Sequence, residues 1–517
     1  MAISGLHIGL AAAGSYFLAL LLSGIARCGR GARNHHRTAI LCSFLLAMAY
    51  AHVSGFAVPA RRAGLMLALT AVCLLRWRRP DPAVIVSAAC FIIAVADPLA
   101  TMAPGFVLSF CAVVALIWIS RRGRCGLPTL QLNLLLGLMP FTAVLFERIS
   151  FAALPVNLIA VPLFSLITVP LALLGLVLDG PLQAIGDLAI SVAGYSIALL
   201  EYLLRQVADL SWASYVVPEV SGLAWLYLLL PAVWVLLPSG WPARHLAWLG
   251  VIAIVAYAPR PPADGCAVVT FLDVGQGLAV SIRTHRHTLL FDSGPAFRNG
   301  SNAARTVLLP YLRSLNIGRI DRLIVSHADL DHAGGAASLA AAMPIRTIMS
   351  GEPLPEMRSL PCRAGQNWRY DGINFSILHP AVGAESGGND GSCVLLLEAG
   401  ENRILLSGDI EKAAEHALVR EQRLAPVYAV SVPHHGSRTS STAPFVQALR
   451  PSVAVVSAAY GNHWGFPKED VVARWTDVGA SVLNTAVAGA IEMPLCAATG
   501  FEPIRQYRLL NRRIWHE

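Results

Sequence analysis

Apolar positions run together along residues 1–258 and alternate along residues 259–517. Ten apolar stretches mark the first half, near 5–25, 39–58, 63–76, 83–99, 104–120, 129–147, 152–178, 183–204, 221–238 and 244–258. Most have the length of roughly 17–25 residues that a helix needs to cross a bilayer. The runs 63–76 and 244–258 are short, and 152–178 contains Pro155, Pro162 and Pro170. This pattern predicts a polytopic helical membrane domain of about ten helices over 1–258. Beyond it, Ala267-Val268-Val269-Thr270-Phe271-Leu272 runs into Asp273-Val274-Gly275-Gln276-Gly277, the pattern of a strand ending in a Gly-rich turn. Segments 279–283 and 288–291 continue it as antiparallel strands, 307–314 reads as a helix, and Leu323-Ile324-Val325 as the next strand. Strands and helices in this order, with polar residues at strand ends, predict an α/β domain over 259–517.

Composition supports the division. Apolar residues make up 55% of the chain and charged residues 14%, which excludes an ordinary soluble protein. The net charge of +8 invites a nucleic-acid reading. The excess, however, sits in Arg27, Arg30, Arg33 and Arg37, in Arg76, Arg78 and Arg79, and in Arg121, Arg122 and Arg124. These occupy alternate loops between apolar runs, so membrane topology accounts for them better than DNA contact. With those loops cytoplasmic, residue 1 starts outside and ten crossings return the second half to the outside. Ten cysteines include no C-x-x-C pair, so neither a zinc ribbon nor a thioredoxin-type site is indicated. Cys266, Cys362, Cys393 and Cys496 are available for bridges in an oxidising compartment, with no pairing legible.

The densest chemistry is Ser326-His327-Ala328-Asp329-Leu330-Asp331-His332, directly after the 323–325 strand. Four metal donors, His327, Asp329, Asp331 and His332, share one tight loop. Such a loop can serve one or two divalent ions, which polarise a substrate oxygen and acidify water in the hydrolysis of an unreactive ester. The hard carboxylate of Asp329 shifts preference from zinc towards manganese or magnesium, with manganese favoured; the alternative is that Asp329 stands behind the ligands instead of on the metal. Asp409, after the strand-like Ile404-Leu405-Leu406-Ser407-Gly408, is a further ligand and catalytic candidate; the competing reading is an N-cap of the helix that follows. In Pro433-His434-His435-Gly436-Ser437 the two imidazoles diverge, so only one is expected on the metal. His434 is assigned to the metal, and His435 joins Asp331 and Asp409 as catalytic. Ser437, Asn389 and Ser392 are candidate substrate-phosphate donors, although such residues also fill turns. Arg298, Arg438 and Lys468 are candidate phosphate contacts.

Several of these motifs resemble a known family. Ala2-Ile3-Ser4-Gly5-Leu6-His7, Gly55-Phe56 with Pro59, Arg62-Ala63, Pro104-Gly105-Phe106 with Leu108-Ser109-Phe110, and Asn157-Leu158-Ile159-Ala160-Val161-Pro162 resemble the ComEC/Rec2 competence family of inner-membrane DNA-uptake channels. On that resemblance Ser4, Gly5, His7, Arg62 and Asn157 are channel-motif residues. Leu-Asp-Val-Gly-Gln-Gly at 272–277, Phe-Asp-Ser-Gly at 291–294 and Ser-His-x-Asp-x-Asp-His-x-Gly-Gly at 326–335 resemble the metallo-β-lactamase fold, an αββα sandwich. The resemblance implies a multi-pass protein of the bacterial inner membrane with its second domain on the periplasmic side. It also implies a metal-dependent phosphodiesterase or nuclease that degrades the non-transported strand. The implied partners are single-stranded DNA, the lipid bilayer, other proteins of the uptake machinery and further copies in an oligomer. The alternatives are a membrane-anchored metallo-hydrolase of another substrate and a channel with a non-catalytic module. Two departures stand out. Family members carry helices and an outer-face domain ahead of the Ser-Gly-Leu-His helix, so a region preceding Met1 or its loss is expected. Phe466-Pro467 stands where many members have His-Pro, and His463 is no assured substitute, so the second ion is expected to be one ligand short.

Overall fold

In the computed structural model the described residues are 5–25, 32–53, 55, 58–123, 126–146, 148–178, 180, 182–208, 210, 212–217, 230, 232, 234, 237, 240–241, 246, 248–257, 259–297, 300–354, 357–383, 387–501 and 503–511. The chain divides into two units, Met1–Tyr257 and Ala258–Glu517.

The apolar runs of the first unit form helices Gly5–Ile25, Ala32–Val53, Val58–Leu75, Pro82–Ala96, Pro104–Arg121, Leu127–Phe146, Ala153–Leu178, Gln183–Ala208 and Trp248–Ala256. Among the described residues four are long and apolar enough to cross a membrane: Pro104–Arg121, Leu127–Phe146, Ala153–Leu178 and Gln183–Ala208. The expected run at 221–238 lies largely outside the described residues, and 244–258 shortens to Trp248–Ala256. The proline-rich run 152–178 stays one continuous helix by widening into a π-helical stretch, Leu163–Thr168, directly after Pro162. Such adjustments re-satisfy backbone groups that proline frees. Helix contacts are made by small residues: Ala39, Ala47, Ala51, Ala60 and Ala89 are fully buried, whereas Phe17, Leu21, Leu45 and Phe91 face outward. Lipid offers no hydrophobic drive between helices, so close backbone approach through small side chains takes its place. The unit also contains an unexpected antiparallel pair, β1 (Arg148–Ser150) with β2 (Ser214–Val216), around buried Ile149.

The second unit is a sandwich of two sheets. One runs β17 (Gly500–Phe501), β16 (Ile491–Cys496), β3 (Cys266–Phe271), β4 (Val280–Arg283), β5 (Thr288–Phe291), β6 (Ile320–Val325), β7 (Ile345–Ser350), β8 (Leu360–Pro361), with β18 (Arg505–Gln506) also on β16. The other runs β15 (Ser481–Asn484), β14 (Val453–Val456), β13 (Ala429–Ser431), β12 (Asn402–Leu406), β11 (Val394–Ala399), β10 (Ile373–His379), β9 (Asn367–Tyr370). Period-two alternation decides which core each residue enters. Leu289, Phe291, Ile324, Leu395, Leu397, Ile404, Leu406 and Val455 meet between the sheets. Leu290, Leu323 and Val325 face outward against helices Leu309–Ser314 and Ala336–Ala342. Leu405, Val430 and Ala454 face helices Lys412–Arg420, Ala443–Leu449 and Glu469–Asp477. Helices cover both outer faces, which gives the αββα order. Two disulfides answer the pairing question: Cys266–Cys496 joins β3 to β16, and Cys362–Cys393 ties the end of β8 in one sheet to the start of β11 in the other.

Candidate metal centre

The chemistry-bearing residues lie just past the carboxyl ends of β5, β6, β12 and β13. Parallel pairing of β5 with β6 and of β12 with β13 brings these ends to one edge of each sheet. Past β6 the chain delivers His327, then enters the short helix Leu330–Ala333, which presents Asp331 and His332. Past β12 it turns at Gly408, whose φ of +56° places its hydrogens against the Ser326 and Ser392 side chains; a Cβ there would lie 2.7 Å from Ser326 Cβ. That turn aims Asp409 back across the edge. Past β13, His434 and His435 both adopt left-handed backbone, at φ 50° and 54°.

Asp331, His332, Asp409 and His435 come together, each offering one donor atom within 4.8 Å of the others. His332 Nε2 lies 3.2 Å from Asp409 Oδ1 and 3.3 Å from His435 Nε2. His435 Nε2 is 3.3 Å from Asp331 Oδ2 and 3.4 Å from Asp409 Oδ2. The far side of each imidazole is fixed: His332 Nδ1 donates to Asp292 Oδ2 at 2.7 Å, and His435 Nδ1 donates to the Ser457 carbonyl at 2.7 Å. Both rings therefore turn Nε2 inward, the outer-shell arrangement that holds a histidine as a ligand. Asp331, with 35% of its side chain exposed, opens the group to solvent; the other three are buried.

Electrostatics favour a dication here. Burial opposes the charge on Asp409, yet the imidazoles of His332 and His435 hold it well below the usual carboxylate range. Burial likewise opposes the charge of Asp331, but hydrogen bonding to His435 and the charge of His332 bring it down to about 2. Against their own burial, His332 is raised by Asp409 and Asp292, and His435 is raised to about 9 by Asp409 and Asp331. Two imidazole protons thus balance the buried carboxylates. A divalent cation supplies the same two charges, and its binding releases those protons. The donor set of two imidazoles and two carboxylates suits such an ion.

His327 and Asp329 adjoin this group without joining it. His327 is pushed down in pKa by burial and by His332, and its Nε2 is buried without a hydrogen-bond partner, 3.4 Å from Asp329 Oδ2. Asp329 has 61% of its side chain exposed. The two adjacent histidines point to different surroundings. His435 enters the group, whereas His434 turns outward, with Nδ1 3.1 Å from Glu411 Oε1 and 3.0 Å from Thr439 Oγ1. Consecutive left-handed residues splay the two rings to 73°. Near the position where, among the described residues, a further ligand is absent, Phe466 packs beside His434, and His463 lies against Trp464.

Ser392 was expected at the substrate, but its buried hydroxyl lies 3.3 Å from His327 Nδ1 and accepts from the Asp409 amide at 3.3 Å. It positions ligands. Asn389 donates to Glu411 Oε1 at 3.2 Å, and Ser437 Oγ pairs with Thr439 Oγ1 at 3.0 Å. Arg438 is held by Asp470 at 2.9 Å, Lys468 donates to the Trp464 carbonyl at 2.5 Å, and Arg298 lies outside the described residues. The N-cap reading of Asp409 also fails: the helix begins after Glu411, and Asp390 Oδ1 accepts the amides of Glu411 and Ala414. Asp292, part of the Phe-Asp-Ser-Gly motif but given no role as a site residue from sequence, is fully buried and is the anchor of the site. Besides His332 it accepts the Ser326 amide at 2.6 Å and hydroxyl at 2.9 Å. Its signal was position, a carboxylate straight after the apolar strand β5.

In the helical unit Ser4 and the His7 side chain lie outside the described residues. Gly5 packs against Ala63, where an added Cβ would lie 3.1 Å from Ala63 Cβ. Arg62 is 4% exposed, with Nε and Nη1 lacking hydrogen-bond partners, beside Gly105. Asn157 lines a 430 Å³ cavity with Gln131, Thr142 and Arg148.

The chain matches the family described as "Competence protein" over residues 1–242 and the "Metallo-beta-lactamase superfamily" over 272–460. It is 34% identical to "Competence protein ComA" of Neisseria gonorrhoeae, over 96% of this chain and 70% of that protein. It is 33% identical to "Uncharacterized protein YcaI" of Escherichia coli, over 95% of this chain and 66% of that protein. It is 30% identical to "Recombination protein 2" of Haemophilus influenzae, over 95% of this chain and 67% of that protein. The chain thus spans between 66% and 70% of the length of these relatives.

Proposed function

This chain belongs to the competence protein family, and on that premise we propose that it is a DNA-uptake membrane protein whose second unit is a metal-dependent phosphodiesterase acting on single-stranded DNA. The observation that carries the catalytic half is the convergence of Asp331, His332, Asp409 and His435 on one point with outer-shell support. These residues would hold a divalent cation, which when bound would supply charge stabilisation at a phosphoryl oxygen and an acidified water. Manganese is favoured over zinc by the carboxylate share of the donors. His327 Nε2 and Asp329, beside the group, are the donors for a second ion. Asp292 keeps His332 oriented through the reaction, and the solvent-facing carboxylate of Asp331 accepts the proton of the attacking water. The water oxygen bonds to phosphorus as the P–O bond to the leaving oxygen breaks, and the leaving oxygen takes its proton from solvent at the exposed edge of the site, where Asp329 lies.

Two disulfides in the second unit require an oxidising compartment, which supports a periplasmic position for it. The non-transported strand is the substrate in this reading, with the helical unit conducting the other. The test is cleavage of a labelled single-stranded oligonucleotide by the purified chain in detergent with manganese. Wild type cuts and Asp331→Ala loses at least about a hundredfold in rate, the low end for a residue acting in proton transfer. Wild-type metal binding without any cutting of DNA would remove the phosphodiesterase reading.

A further inference from the structure

A second cavity, of 310 Å³, opens in the helical unit between the first three helices and the loop after the third. Its polar wall is Arg37, Arg78 and Arg79, and its less polar wall includes Tyr16, Leu74 and Trp77. No carboxylate among the described residues pairs with these three arginines. The nearby Asp81 is engaged by Arg121 at 3.2 Å and accepts the Ala83 amide at 2.9 Å. Tyr16 Oη is 2.9 Å from His36 Nδ1, so its ring is held at the cavity wall. Trp77, half exposed, sits on left-handed backbone at φ 59° where the third helix ends, which turns the chain so that Arg78 and Arg79 meet Arg37.

We propose that this cavity binds the headgroup of an anionic phospholipid, with guanidinium groups on phosphate and with Trp77 and Tyr16 at the glycerol level. Guanidinium pairs with phosphate oxygens through parallel charge-assisted hydrogen bonds. Trp and Tyr settle at the depth where headgroup meets hydrocarbon. Basic pockets between membrane helices are suited to phospholipid headgroups. Topology alone asks only for positive charge in a loop; it does not ask for three arginines around a cavity with aromatic walls. The surface beyond the cavity selects lipid over nucleic acid. Phe17, Leu41, Leu45, Leu46 and Val72 are all exposed on the same three helices, a surface for acyl chains and not for a polyanionic strand. Three guanidiniums against one phosphate leave excess charge, so a two-phosphate lipid of the cardiolipin type binds most tightly. This site is separate from the metal centre and does not depend on it.

The test uses the full chain in detergent, titrated with cardiolipin, phosphatidylglycerol or phosphatidylcholine of matched acyl chains. Thermal unfolding and native mass spectrometry read binding. Cardiolipin is expected to raise the unfolding temperature and to remain bound, phosphatidylglycerol to act more weakly, and phosphatidylcholine to do neither. The variant Arg37→Gln/Arg78→Gln/Arg79→Gln loses at least tenfold in apparent cardiolipin affinity. The charge-matched variant Arg122→Gln/Arg148→Gln/Arg205→Gln keeps it. Arg37→Lys/Arg78→Lys/Arg79→Lys, which preserves charge and guards against misfolding, retains intermediate affinity. Equal loss in the two Gln variants, equal stabilisation by phosphatidylcholine, or displacement of cardiolipin by a single-stranded oligonucleotide through these arginines would each overturn the proposal.

Discussion

His332 in the α/β unit and Arg62 in the helical unit are both almost fully buried, yet their surroundings differ completely. His332 is met by Asp292 on one nitrogen and by Asp409 and His435 on the other. Arg62 has two nitrogens, Nε and Nη1, without a hydrogen-bond partner among the described residues. In the first region charges of both signs are built against one another around a point that fits a dication. In the second a buried cation has two nitrogens without a partner among the described residues, and such a charge is costly to bury. The comparison teaches that burial alone does not define a site: removing a charge should damage the first region and relieve the second.

The largest effect should follow from Asp409→Ala, which leaves two buried imidazoles without their shared carboxylate. Breaking one member of a buried charge group costs about 3–5 kcal/mol. Chemical denaturation of the metal-free chain should show that loss, together with loss of bound metal. Next, Cys266→Ser/Cys496→Ser removes the covalent tie between β3 and β16 and should cost about 2–4 kcal/mol, readable as a lower unfolding temperature insensitive to reductant. Asp292→Asn keeps shape but frees His332, and outer-shell losses of this kind weaken metal affinity roughly 10–100-fold. Competition with a fluorescent chelator measures it. The opposite sign is expected for Arg62→Met. Replacing a buried charge that is only partly partnered among the described residues by an apolar side chain should stabilise the chain in detergent by about 1–2 kcal/mol. Equal destabilisation by Arg62→Met and Asp409→Ala would erase the distinction between the two regions.

Much of this was readable from residues because the physics was local. Ser326–His332 declared itself because four metal donors in one loop have few structural reasons to cluster. The α/β character followed from strand alternation and the sandwich was implied by the family resemblance; Leu289 and Phe291 entering one core and Leu290 the other bear out the alternation. What stayed hidden was set by backbone direction or long-range pairing. Whether His434 or His435 turns inward depends on two consecutive left-handed residues, which no side-chain pattern announces. Asp292 carried no assigned role because its partner, His332, lies forty positions away. The partners of Cys266 and Cys362 likewise depended on long-range topology: β3 beside β16 in one case, and in the other the edge strand β8 of one sheet near the start of the interior strand β11 of the other. In the helical unit apolar length predicted helices well, but Ala32–Val53 begins seven residues before its apolar run because His35, His36 and Arg37 continue the helix.

The most direct test of the metal centre sets the two adjacent histidines against each other. Metal content per chain, measured by plasma mass spectrometry after manganese loading and desalting, should be at least one ion in wild type and in His434→Ala. In His435→Ala it should fall to background. Retention of metal by His435→Ala together with its loss from His434→Ala would contradict the assignment of Asp331, His332, Asp409 and His435 as the site.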